Sequence, residues 1–95
     1  MKIDFNKNGA ELKVALDGRL DTNTAPELER FIGENYTVGA LIIDCEGLVY
    51  VSSAGLRVLL AAHKRAAGMM KLTNVCELVM EVFEMTGFAD ILTIE

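Results

Sequence analysis

The run Asp44-Cys-Glu-Gly-Leu-Val-Tyr-Val-Ser-Ser-Ala-Gly-Leu-Arg-Val-Leu-Leu60 changes its hydrophobic period halfway along. Just before it, Leu41-Ile42-Ile43 is a short unbroken apolar run, the pattern of a central strand buried on both faces. Val49-Tyr50-Val51 is a second apolar stretch, just past Gly47. From Ser53 to Ala67 the pattern becomes helical. Leu56, Leu59, Leu60, His63 and Ala67 share a face, widened by Val58 and Ala62, and Arg57, Lys64 and Arg65 lie away from its centre. Gly68 is a helix stop, and His63-Lys64-Arg65 suits the negative end of the helix dipole. A strand therefore delivers two adjacent hydroxyls, Ser52 and Ser53, to the mouth of a helix.

On the N-terminal side, residues 1–6 and 11–17 alternate as two half-buried strands, with Asn8-Gly9 as a hairpin signal between them. Gly18-Arg-Leu-Asp21 follows. Thr24-Ala-Pro-Glu27 has capping-box spacing, so the Thr24 hydroxyl should accept from the Glu27 amide. A helix over about 24–34 should bury Ala25, Leu28, Phe31 and Ile32. On the C-terminal side, 69–73 reads as a strand. A helix over about 76–86 should turn Val79, Val82, Phe83 and Thr86 inward, with Gly87 ending it. Ile91 to Ile94 reads as a last short strand or a docked tail. The order β-β-α-β-α-β-α-β predicts one α/β domain over 1–95: a mixed, mostly parallel sheet covered by about three helices.

The composition fits one such domain. For 95 residues and 10.4 kDa, area scaling gives about 15,000 Å² unfolded and about 5,400 Å² folded, enough burial for an unstapled core. With no Trp and six Phe and Tyr together, that core should be aliphatic. The methionines at 69, 70, 80 and 85 read as core filler. A net charge of −5 argues against a nucleic-acid grip and against direct binding to anionic membranes. Cys45 and Cys76 form no disulfide framework, and a reducing cytoplasm is the expected location. No signal peptide or membrane span is expected.

Serines at a helix start sit beside unpaired backbone amides at the positive end of the dipole, where a phosphate would be stabilised. Capping alone also explains a serine there. His63 reads as a structural histidine, Cys76 as a cap-like structural thiol and Cys45 as inert. No metal-ligand spacing, glycine-rich phosphate loop or nucleophile–base pair stands out. No cofactor, metal, small-molecule ligand or enzymatic activity is expected.

The segment Tyr50-Val-Ser-Ser-Ala-Gly-Leu-Arg-Val-Leu-Leu60 after Leu41-Ile-Ile-Asp44 resembles the signature of STAS domains, above all the stand-alone anti-sigma factor antagonists of bacteria. Gly18-Arg-Leu-Asp21 with Thr24-Ala-Pro-Glu27 resembles a second motif of that family, and Glu84-Met-Thr-Gly-Phe88 a third. The family's usual loop is Asp-Ser-Ser-Gly, with the first Ser phosphorylated. Here that Ser falls on Ser53, the Asp on Ser52 and the second Ser on Ala54, while Gly55 matches. Ser52 is thus a second candidate acceptor.

The resemblance implies a partner switch. The unmodified protein would bind an anti-sigma factor that is also a serine kinase and free the sigma factor. Phosphorylation of Ser53 would break the complex, and a phosphatase would reset it. The implied docking face is Asp21, Thr22, Asn23 and Thr24 with Ser52, Ser53, Ala54, Gly55 and Arg57. A competing reading keeps the domain but makes it a constitutive adaptor subunit, as in an ABC-type lipid transporter.

Overall fold

The opening hairpin sets one edge of the sheet. In the computed structural model, which describes residues 1–95, β1 (Lys2–Asn8) and β2 (Glu11–Leu20) pair antiparallel, with Asn8 opposite Glu11. The two-residue loop is Gly9-Ala10, and of these only Gly9 has a positive φ, 63°. That is the type II′ pattern, which wants glycine at the first central position. The turn therefore sits one residue later than an Asn8-Gly9 pair would place it.

β2 runs parallel to β3 (Leu41–Val51), and β3 parallel to β4 (Met70–Thr73), in the sheet order β1-β2-β3-β4. Three helices complete the fold: α1 (Ala25–Asn35), α2 (Ser53–Arg65) and α3 (Glu77–Thr86). The expected final element at Ile91–Ile94 is the docked tail and not a strand. After a 3-10 turn at Phe88–Asp90, Ile94 makes a single parallel bridge to Leu72. Two backbone bonds of 2.9 Å hold it, Leu72 N–H to the Thr93 carbonyl and Glu95 N–H to the Leu72 carbonyl.

Burial shows that the helices cover one face of the sheet. Leu12, Val14 and Leu16 are buried, while Lys13 and Asp17 between them are exposed. Leu41, Ile43 and Cys45 are buried, but Ile42 and Asp44 are only half-buried. β3 is thus covered on one side, contrary to its unbroken apolar run, because no helix packs on the other. The open face carries a shallow acidic depression lined by Asp4, Asp17, Asp44 and Glu46. The Asn74 side-chain amide, 3.0 Å from Asp44, is the main cause holding that carboxyl below its ordinary pKa. Partial burial opposes it, and the Glu46 amide and Lys13 assist.

Val49-Tyr50-Val51 is the end of β3 and not a separate segment. Two register shifts against β2, between Ala15 and Asp17 and between Gly18 and Arg19, let the strand continue. Inward positions accordingly skip from Cys45 to Leu48 and then Val51. Such irregularities bend and twist a strand, and here they aim its last residues at the end of β2.

The helices seal the core with narrower stripes than their periodicity suggests. α1 buries Ala25, Leu28 and Ile32, while Phe31 is half-buried and meets Phe5 at 5.1 Å between ring centroids. α2 buries Gly55, Leu56, Leu59 and Ala62. Leu60 and His63 are half-buried. Ala67, expected inward, is exposed beyond the helix end, where Ala67 and Gly68 take φ of 52° and 83° to turn the chain towards β4. α3 starts from Cys76 and ends at a left-handed Gly87. It buries Val79 and Phe83, leaves Val82 half-buried, and leaves Thr86 exposed, its hydroxyl bonded back to the Val82 carbonyl at 2.7 Å.

The core is aliphatic apart from Tyr36 and Phe83, the latter its largest fully buried side chain. Met70 is fully buried, but Met69 and Met85 are 52% and 85% exposed and fill no core. Met side chains report hydrophobicity without reporting whether their positions face the core. The accessible surface is 5278 Å², close to the value that scaling predicts.

Candidate functional site

The parallel pairing of β2 and β3 brings their carboxyl ends side by side. Leu20 pairs with Val51, and the Ser52 amide donates to the Leu20 carbonyl at 2.9 Å. The turn after β2 and the loop after β3 therefore share one end of the sheet. Crevices at the carboxyl ends of parallel strands are where α/β folds commonly place their sites.

The turn at Asp21–Thr24 is built around one carboxylate. Asp21 Oδ1 accepts from the amides of Asn23 and Thr24 at 3.0 and 3.1 Å. Thr24 Oγ1 accepts from the Asp21 amide at 2.8 Å and donates to the Arg19 carbonyl at 2.6 Å. The capping box does not form: the Thr24 hydroxyl is spent inside the turn, and the Glu27 amide bonds to the Thr24 carbonyl at 3.0 Å. Partial desolvation pushes the Asp21 carboxyl up, but these donors and the Arg19 guanidinium outweigh it and hold its pKa below the ordinary value. Asp21 thus shapes the loop from within.

The second loop divides its two serines between two jobs. Ser52 is the N-cap of α2, in extended conformation, and its Oγ accepts from the Gly55 amide at a long 3.5 Å. It is half-buried. Ser53 is the first helical residue; it is exposed, and its hydroxyl has no protein partner. Ser52 therefore does the capping that an Asp could do equally well. Ser52→Ala should cost about 0.5–2 kcal/mol, nearer the low end for so long a bond, while Ser53→Ala should stay within about 0.5 kcal/mol. Urea unfolding of both variants checks this, and a larger loss at Ser53 would contradict the assignment.

Gly55 is required by close approach. A Cβ there would lie 2.8 Å from both Cγ and the carbonyl oxygen of Leu20. The contact includes backbone, so α2 would have to move away from β2. Alanine gains about 0.8–1 kcal/mol of helix propensity, but overpacking costs about 1–3 kcal/mol. Gly55→Ala should be a net loss and lower the melting temperature; a rise would contradict the packing argument.

Thr22, Ala54 and Arg57 line one shallow cleft with Pro26 and Glu29 of α1. The two implied halves of the docking face therefore meet in space. Arg57 is exposed and makes no ion pair or hydrogen bond. Asn23 is exposed at the outer rim of its turn.

Two further residues belong to this end of the molecule. The Arg19 guanidinium lies 4.1 Å from the centre of the Tyr50 ring, and its Nε lies 3.8 Å from Asp21. Arg and Tyr are favoured anchors of protein interfaces. Only the β2–β3 register, which pairs Arg19 with Tyr50, brings them together, and no local sequence signal predicts it.

His63 lies far from this site, about 15 Å along α2 from Ser53. Its Nδ1 is buried without a partner. Cys45 is fully buried, and desolvation, with smaller contributions from Asp44 and Cys76, pushes its thiol up to about 12. The Cys76 thiol donates to the Leu48 carbonyl at 3.5 Å. No helix is long and apolar enough to cross a membrane.

The STAS domain family model matches residues 2–95. The chain belongs to the STAS domain family. BtrV of Bordetella bronchiseptica is 34% identical over 96 residues, covering 96% of this chain and 83% of BtrV. The anti-sigma-B factor antagonist of Bacillus subtilis is 29% identical over 98 residues, covering 99% of this chain and 90% of that protein. The solved anti-sigma factor antagonist SpoIIAA of Bacillus shares the fold. Its unphosphorylated form superposes with a TM-score of 0.79 at 19% identity over 99% of this chain and 88% of SpoIIAA. Its phosphorylated form gives 0.71 at 18% identity over 99% and 91%. Both relatives bear the name of anti-sigma factor antagonists, and the mixed four-stranded sheet with three helices is the architecture this chain shares with SpoIIAA.

Proposed function

We propose that this STAS domain is a phosphorylation-controlled antagonist of an anti-sigma factor that is also a serine kinase, acting in the cytoplasm without catalysis of its own. The unmodified domain docks through the Asp21–Thr24 turn, the Ser52–Gly55 loop and Arg57, and the sigma factor is released. The kinase moves the γ-phosphoryl of ATP to Ser53 Oγ, leaving ADP and passing the hydroxyl proton to a base or to solvent. A phosphatase reverses the step. The observation that carries this reading is the division of labour in the loop: Ser53 is exposed and unbonded, whereas Ser52 is half-buried and capping. A kinase could reach Ser53 without unwinding the helix.

SpoIIAA, which has been solved both unphosphorylated and phosphorylated, supports the reading. So does the name of the Bacillus subtilis relative, an antagonist of an anti-sigma factor. The physical cost of modification is sufficient. A phosphoryl group adds about −1.5 to −2 charges, and each 1.4 kcal/mol of repulsion or desolvation is about tenfold in affinity.

The test is a reconstitution from the source organism. A sigma factor bound to its anti-sigma kinase is titrated with this domain, and free sigma factor is followed by size-exclusion chromatography. The unmodified domain should release the sigma factor in proportion to its concentration, and the Ser53-phosphorylated domain should not. Equal release by both forms would overturn the switch.

A further inference from the structure

Around Ser53 the structure leaves one cation without a partner. Arg57 stands four residues after Ser53 on the same helix, and both are exposed and unbonded. Residues at that spacing are neighbours on a helix surface, and an anion N-terminal to a cation is the favoured order. Side chains on a helix also lean towards its N-terminus, so Arg57 is within reach of the turn that bears Ser53. The other charges nearby are already placed. Arg19 is held by the Tyr50 ring and Asp21. The Asp21 carboxylate is occupied within its own turn. Glu29 of α1 faces the same cleft as Arg57 but makes no ion pair with it.

We infer that Arg57 is the internal clamp of the Ser53 phosphate: on modification its guanidinium closes over the phosphoryl oxygens one turn back. The clamp rests on the proposed phosphorylation of Ser53 and belongs to the modified state alone. A guanidinium suits the task, because its planar fork can hold two phosphate oxygens at once. The switch then acts twice on the docking face. It adds an anion, and it withdraws the one unpaired cation that Arg57 offers to an acidic group of the partner.

The test needs no kinase. Phosphoserine is installed at position 53 during synthesis of the full chain, and the second ionisation of the phosphate is followed by phosphorus NMR. The midpoint should be about 0.2–0.4 pH unit lower in the parent than in Arg57→Gln. Arg57→Lys should keep part of the shift, and added salt should shrink it. Phosphoserine at position 52, off the i, i+4 spacing, should titrate alike in the parent and in Arg57→Gln. Equal midpoints for the two chains phosphorylated at 53 would overturn the clamp, as would an equal dependence on Arg57 at position 52. Because the phosphate is placed synthetically, a clamp that fails is distinguished from a kinase that never modifies Ser53.

Discussion

With Ser53 replaced by Asp, the domain is expected to fold as the parent does and to bind its anti-sigma factor at least about tenfold more weakly. The two halves of this result have separate causes. Ser53 is exposed and occupies the first position of α2, where an acidic side chain is favourable to the helix dipole. The cap on Ser52 and the packing of Gly55 against Leu20 do not involve it. Melting temperature should therefore stay level or rise slightly. In the proposed complex, the same carboxylate would enter the docking interface with one full negative charge, less than a phosphate brings but of the same sign. Isothermal titration against the anti-sigma factor reads the loss, with thermal unfolding as the control on folding. Equal affinity of variant and parent would remove charge at Ser53 as the controlling element.

Phe83→Ala should be the most damaging single truncation of the fold, at about 3–5 kcal/mol. Phe83 is fully buried and is the largest such side chain. It lies on the inward stripe of α3, in one core cluster with Leu48 and Val51 of β3 and with Leu59 of α2. Domains of this size hold only about 5–15 kcal/mol in reserve, and each kcal/mol is worth about 4–8 °C. A fall of more than about 12 °C is expected. Met85→Ala on the same helix supplies the contrast: that side chain is 85% exposed, and its removal should stay within about 0.5 kcal/mol. Similar losses for the two variants would mean that α3 packs on a different face.

The contrast also shows where the sequence is legible. Alternation in β2, the change of period after Val51 and the stop at Gly87 each depend on near neighbours, and there the pattern holds; β1 pairs with β2 as expected, but at the sheet edge it leaves Phe5 54% exposed and only Ile3 half-buried. Met69 and Met85 are as hydrophobic as Met70, so composition cannot sort them; tertiary placement does. Thr24 has a capping sequence, but Asp21 draws its hydroxyl into the preceding turn. Either of two adjacent serines can cap a helix, and the choice of Ser52 stems from where the Leu20 carbonyl ties the loop down. The stack of Arg19 on Tyr50 depends on a parallel register with two shifts, which no local pattern encodes. The candidate site is thus readable as two loops, while its anchors and the division of labour between its serines come from how the strands align.

The proposed control of docking turns on Ser53 carrying a phosphate, and mass-spectrometric mapping reads that directly. The domain is incubated with ATP and lysate of its source organism, the activity of the lysate being verified on other phosphoproteins, and is then digested and mapped. Phosphate on Ser53, with Ser52 unmodified, is the predicted result. An active lysate that leaves Ser53 bare, or that modifies Ser52 in its place, would contradict the switch at Ser53.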